Sequence, residues 1–300
     1  MTNIIGNLLF SLPVGNQLGE GVQWHIDTQS IWWTDIEGTC LYSYSVAEQA
    51  IQQHTMPERV GCFCFIESDP RLLIAFESGF AFYDVESSDI NWLAKPELDK
   101  QGNRFNDGRV DRFGNFWAGT MIEAPNDESK PASLYKLSSN NGTITCQNLL
   151  SDITVSNGLC FSLDGQKLYH ADSPTQNIMQ FDVNTETGAL SNKTHFATTK
   201  KNSYPDGATI DSEGYLWNAQ WGGSRVVRYK PNGEVDIEFT VPVSQPSCVA
   251  IGGPAMDWLI ITSAKQDLSS QQLNTDKHAG DVFVYQLNGI KGVEENQFIL

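Results

Sequence analysis

Residues 106–120 read Asn106-Asp107-Gly108-Arg109-Val110-Asp111-Arg112-Phe113-Gly114-Asn115-Phe116-Trp117-Ala118-Gly119-Thr120 (NDGRVDRFGNFWAGT). A turn signal is followed by a short apolar run, a second turn around Asp111, and a strand-like run carrying Trp117. The same order recurs at 19–35 (GEGVQWHIDTQSIWWTD), 156–172 (SNGLCFSLDGQKLYHAD) and 205–220 (PDGATIDSEGYLWNAQ), with Asp27, Asp164 and Asp211 at the second turn. Turns this close together leave no room for long helices, and the runs between them have strand length and strand composition.

Two further copies share the rhythm with weaker signatures: 60–85 (VGCFCFIESDPRLLIAFESGFAFYDV), and 246–264 (PSCVAIGGPAMDWLIITSA) with 280–287 (GDVFVYQL). The period is roughly 40 to 50 residues, the range of a four-stranded propeller blade. CLYSYS, FAFYDV, SLYKL, IMQFDV, RVVRYK and VFVYQL recur in register and are expected as the third strand of each blade. The expected fold is all-β, a six-bladed β-propeller of four-stranded antiparallel sheets, with residues 1–300 as one domain. No Pro/Ser-rich or charged linker divides the chain. The irregular stretches Ala124 to Pro131 and Lys265 to His278 are expected as loops on the rim of a binding face.

A net charge of −17 argues against nucleic acid or an anionic membrane as partner, because both recruit cationic residues. It keeps the protein soluble and draws divalent cations. No segment approaches the roughly 18 apolar residues of a span. The apolar run Ile4, Ile5, Leu8, Leu9 and Phe10 has no basic residue before it, which speaks against a secretory signal. Six scattered cysteines form neither a C-x-x-C motif nor a zinc pattern and read as buried, reduced thiols, which places the chain in the cytoplasm.

In a propeller the innermost strands line the central axis, so their first residues ring one mouth. Glu20, Asn106, Asn157 and Asp206 occupy that place in four blades, with Gly61 and Ser247 in the other two. Singly, each is an ordinary turn residue. Together they make a hard oxygen set suited to Ca, Mg, Mn, Zn or Fe as a divalent ion. Asp27, Asp111, Asp164 and Asp211 fall at the opposite end of the inner hairpin, where turn formation accounts for them. No H-E-x-x-H, G-x-S-x-G or phosphate loop competes. His170 is expected in a supporting role, and Trp221 either stacks on a sugar or fills the core.

The chain resembles the SMP-30/gluconolactonase/regucalcin-like family over nearly its whole length. The resemblance is carried most specifically by RFNDGRVDRFGNFWAGTM (104–121), VSNGLCFSLDGQKLYHADSPTQNIMQFDV (155–183) and YPDGATIDSEGYLWNAQWGGSRVVRY (204–229). It implies a divalent-metal-dependent hydrolase opening a sugar lactone, an aldono-1,4- or 1,5-lactone such as gluconolactone or L-arabinonolactone. The implied metal ligands are Glu20, Asn157 and Asp206, with Asn106 in contact directly or through water. Asp206 is implied as general base, and Arg104, Asn106 and Glu123 as substrate contacts. From sequence alone Arg104 reads equally as a surface charge and Glu123 as a solubilising loop residue. The family's Gly-Glu-Ser-Pro-x-Trp becomes Gly19-Glu20-Gly21-Val22-Gln23-Trp24, which alters the wall beside Glu20. A phosphotriesterase- or arylesterase-like hydrolase and a noncatalytic calcium-binding propeller are the alternatives. A monomer or weak homo-oligomer is expected.

Overall fold

Where a strand is apolar at every position it must be covered on both faces, and Val60–Ile66 (VGCFCFI) is buried throughout. Ala50–Thr55 (AIQQHT) is almost wholly exposed. That contrast between innermost and outermost strands repeats around the molecule. The computed structural model describes residues 5–126 and 128–300 and arranges them as six four-stranded antiparallel sheets about an axis. The inner strands are Gly19–His25, Val60–Ile66, Asn103–Val110, Ser156–Phe161, Tyr204–Ile210 and Pro246–Gly252. We number the blades one to six in that order.

Five blades are built from consecutive strands. The sixth takes its outermost strand, Ile5–Leu12, from the other end of the chain, pairing Ile5 with Leu287 and Leu12 with Val282. The ring is therefore closed by hydrogen bonds rather than by packing alone. Ile5, Leu8, Leu9 and Phe10 of the N-terminal apolar run lie in this strand, while residues 1–4, including Ile4, lie outside the described residues. The six expected third strands all occupy that position. Each large apolar cluster straddles two neighbouring blades, as with Trp117 of blade three against Phe161 of blade four and Trp217 of blade five against Val249 of blade six. Burial between sheets is what holds the ring together.

Two buried carboxylates anchor those interfaces. Asp111 accepts from Phe113 N, Asn115 N and Trp117 Nε1, the last at 2.8 Å. Asp211 accepts from Trp217 Nε1 at 2.9 Å and Arg228 Nε at 2.8 Å. The second-turn aspartates thus form turns as expected, and two of them also fix an indole in the core. Asp164 caps its turn through Gln166 N at 3.0 Å, and Asp27 faces His25 at the surface.

The C-terminal segment runs across the far mouth of the axis. Gly292 bridges Asp211, Glu295 pairs with Arg109, and the fully buried Phe298 lies between blades two and three. The Lys265 to His278 stretch, expected as irregular, carries the short helix Ser270–Thr275, capped by Ser269 and Gln272. No helix among the described residues is long and apolar enough to cross a membrane.

Candidate metal and substrate site

The repeated Asn/Asp/Glu-Gly elements are not the hairpin turns their sequences suggest. They lie inside the inner strands, where pairing with the second strand slips. The slip falls between Glu20 and Gln23, Phe105 and Gly108, Asn157 and Cys160, and Pro205 and Ala208. Blades two and six slip at the corresponding place, between Val60 and Cys62 and between Pro246 and Val249. A bulge bends the strand and re-aims one side chain, here toward the axis. Gly21 and Gly158, at φ of 58° and 64°, supply the left-handed residue for two of them. Gly61 contributes no side chain to the ring because a Cβ there would meet Phe105 O at 2.5 Å.

The bulges bring Glu20, Asn106, Asn157 and Asp206 to the floor of one cavity of about 370 Å³. Arg104, Ser173 and Gln266 add polar groups, and Leu18, Met121, Val155, Tyr204 and Trp221 form an apolar wall. Trp221 is thus on the cavity surface. Glu123 does not line the cavity; it lies at the rim behind Arg104. Asn157 is held from both sides: its Oδ1 accepts from Asn106 Nδ2 at 2.8 Å, and its Nδ2 donates to Ser173 Oγ at 2.9 Å. Asn106 accepts from Arg104 Nη1 at 2.8 Å and donates also to Ser156 O at 3.0 Å, so its own amide oxygen is already engaged.

Glu20 and Asp206 are both buried, and their carboxyl groups are close enough to influence each other. Burial raises the Glu20 carboxyl to about 8, reinforced by Asp107 and relieved in part by Gly21 N–H and Arg104. Burial, with Glu20 and Asp107 nearby, raises Asp206 well above the usual carboxylate range. Asp107 lies below the ring, pushed up to about 6 by burial despite the 2.8 Å bond from Leu159 N. Adjacent buried carboxylates repel, and a cation between them relieves the repulsion. With Asn157 Oδ1 beside them, Glu20 and Asp206 make a donor set of hard oxygens, without thiolate or imidazole, which fits a divalent ion. No grouping of three or more His, Cys, Asp or Glu is disposed for a metal among the described residues, so an amide oxygen has to complete the set.

Arg104 is 3% exposed and bound on three sides, through Nε to Glu123 Oε1 at 3.1 Å and through Nη1 to Phe105 O and Asn106 Oδ1. Glu123 is held below the ordinary carboxylate range by Arg59 first and Arg104 second. His170 is buried with Nε2 2.9 Å from Ser156 Oγ, and burial lowers it to about 4, so it stays neutral behind the site. All six cysteines are unpaired, and only Cys146 is not fully buried.

Sequence reasoning passed over Asp107, Ser173 and Arg59. Asp107 was visible as the second residue of the repeated element, where blades one, four and five carry Gly21, Gly158 and Gly207. Ser173 had no local signal, since only folding brings it to Asn157. Arg59 stands two residues before its blade's ring position, as Arg104 does, and that shared offset was readable.

A family model described as SMP-30/Gluconolactonase/LRE-like region matches residues 18–265. An L-arabinolactonase of Azospirillum brasilense is 38% identical over 275 residues, covering 90% of this chain and 89% of that protein. A 6-deoxy-6-sulfogluconolactonase of Pseudomonas putida is 33% identical over 283 residues, covering 94% of each. The crystal structure of a calcium-binding regucalcin from Agrobacterium tumefaciens superposes with a TM-score of 0.89 at 29% identity, covering 98% of this chain and 97% of that one.

Proposed function

The chain belongs to the SMP-30/gluconolactonase/LRE-like family, and from that premise we propose that it is a divalent-metal-dependent hydrolase opening a sugar lactone to the aldonic acid. The observation that carries this reading is the pair of neighbouring buried carboxylates, Glu20 and Asp206, on the floor of a cavity whose one cationic lining group is Arg104. Glu20, Asn157 and Asp206 hold the ion, and Asn106 orients Asn157. When bound, the ion supplies a Lewis acid for the lactone carbonyl and lowers the pKa of a water molecule. Calcium, zinc, manganese, magnesium and iron are all compatible with these donors.

Asp206 accepts the proton of the attacking water. The water oxygen bonds to the carbonyl carbon, the acyl–oxygen bond breaks, and the ring oxygen leaves as a hydroxyl after taking from Asp206 the proton that the water gave up. Arg104, supported by Glu123, donates to substrate oxygens, and charge assistance makes that contact strong even for a neutral sugar. Trp221 and Tyr204 offer apolar surface to the C–H face of the ring. We propose further that residues 1–300 work as one propeller domain. Free buried thiols support a cytoplasmic location.

A noncatalytic calcium-binding propeller is the second reading, favoured by the likeness to a calcium-binding regucalcin. A metal buffer has no use for a buried guanidinium at the cavity wall, which speaks for catalysis. Acid release from a panel of aldono-1,4- and 1,5-lactones, an aryl ester and a phosphotriester, with each metal and with chelator, separates the readings. Metal-dependent opening of at least one sugar lactone is expected. No lactone opened with any of the five metals refutes the proposal.

A further inference from the structure

Each inner strand enters the site face through a residue two positions before the ring: Leu18, Arg59, Arg104, Val155, Tyr204 and Gln245. Leu18, Arg104, Val155 and Tyr204 line the cavity. The equivalence extends to the backbone, since the carbonyls of Leu18, Arg59 and Val155 accept from Ile36, Glu77 and Ser173 N–H at 2.9, 2.8 and 3.0 Å. Arg59 therefore belongs to the rank of residues that shapes the cavity mouth.

Its guanidinium joins three blades. Nη1 donates to Glu37 of blade one at 3.0 Å, Nε to Glu77 of blade two at 2.8 Å, and the Nη1/Nη2 fork to both oxygens of Glu123 of blade three at 2.6 and 2.8 Å. Glu123 Oε1 accepts at the same time from Arg104 Nε. From there the chain continues through Arg104 Nη1 to Asn106 and through Asn106 Nδ2 to Asn157. Among the described residues, Arg104 Nη2 makes no hydrogen bond, although the residue is 3% exposed and lines the cavity. A buried guanidinium with an unused donor edge is built for an incoming oxygen.

We propose that Arg59 is a positioning residue for substrate binding: by clamping Glu123 it fixes Arg104 so that the free Nη2 edge meets a hydroxyl or ring oxygen of a polyhydroxy lactone. This rests on the lactonase reading above. The bidentate geometry requires arginine, because a lysine ammonium is a point donor and cannot hold both oxygens of Glu123. Ion pairs at a rim add little stability, so what the clamp supplies is orientation. Arg104 lies to one side of the carboxylate pair and contacts substrate before and during reaction alike, so loosening it raises KM and spares kcat.

The test compares wild type, Arg59→Met, Arg59→Lys, Glu123→Gln and the Arg59→Met/Glu123→Gln double variant. It measures kcat and KM for L-arabinono-1,4-lactone and D-glucono-1,5-lactone, Kd for an unreactive cyclic polyol, and Kd for Mn²⁺. Arg59→Met is expected to raise KM and polyol Kd about tenfold, with kcat within about threefold and Mn²⁺ affinity unchanged. Arg59→Lys falls between it and wild type. In the Glu123→Gln background the Arg59→Met effect disappears, because Arg59 acts through Glu123. KM and polyol Kd within twofold of wild type in Arg59→Met overturn the proposal, as does an Arg59→Met effect that persists undiminished in the Glu123→Gln background. Parallel loss of kcat, Mn²⁺ affinity and melting temperature in both Arg59 variants also overturns it, by showing a merely structural residue. A wild type that opens no lactone but binds the polyol more tightly than Arg59→Met removes the lactonase reading and leaves the positioning role standing.

Discussion

Replacing Glu20 with glutamine should make the metal-free protein more stable while removing its response to metal. Glu20 is raised from 4.5 to about 8 in the fold, so at pH 7 it is protonated when folded and ionised when unfolded. Folding then takes up a proton, and stability falls as pH rises, because the native state binds more protons than the unfolded one. The penalty is absent below about pH 4.5, grows through the window up to about 8, and is constant above it. At pH 7 the chain stands about 2.5 pH units above the unfolded value, and at about 1.4 kcal/mol each the penalty is on the order of 3 kcal/mol. For a chain of 300 residues the unfolding entropy is roughly 0.6 kcal/mol per kelvin, so relief of that penalty corresponds to roughly 5 °C. The assay is thermal melting of wild type and Glu20→Gln in chelator between pH 4.5 and 8, repeated with a saturating divalent ion. The variant should match wild type near pH 4.5 and exceed it by about 5 °C at pH 7. The ion should raise the melting temperature of wild type alone. A variant no more stable at pH 7 than at pH 4.5 relative to wild type, or one that still responds to metal, refutes the reasoning.

Three further outcomes follow from named contacts. Asp206→Asn keeps an oxygen but loses charge and basicity, so lactone turnover should fall by about 10³-fold with an unchanged circular dichroism spectrum; near-wild-type turnover removes Asp206 from its role. Phe298→Ala empties a fully buried site between blades two and three and should cost about 3–5 kcal/mol, roughly 5–8 °C by calorimetry. Asp211→Asn removes the buried carboxylate that Arg228 and Trp217 Nε1 share, leaves Arg228 paired with Glu213 and Asp236 alone, and should cost about 2 kcal/mol in urea unfolding.

The fold was legible because propeller blades repeat, and repetition shows in one sequence without comparison. The third strands and the ring positions could be set in register by eye from CLYSYS to VFVYQL. Pairing of Ile5–Leu12 with Val282–Leu287 was not legible, since it joins the two ends of the chain and neither segment signals the other. Likewise Phe298 gives no sign in sequence that it fills an interface built from residues between Cys62 and Leu137, far from it along the chain. Asn106-Asp107-Gly108 and its counterparts were placed correctly on the axis but taken for turns. The residues that permit a turn also permit a bulge, and only pairing with the second strand decides between them. Arg104 could not be told from a surface cation until its burial against Asn106 was seen, and Glu123 was found at the rim, where Arg59 holds it.

The central claim is that one divalent ion, held by Glu20, Asn157 and Asp206, is required for lactone opening. Titrating chelator-stripped protein with Mn²⁺ while recording acid release from L-arabinono-1,4-lactone or D-glucono-1,5-lactone tests it most directly. Activity should be absent at the start, rise linearly, and level off at one ion per chain in wild type but not in Asp206→Asn. Full activity in the stripped protein, or saturation at one ion that survives Asp206→Asn unchanged, would contradict the account.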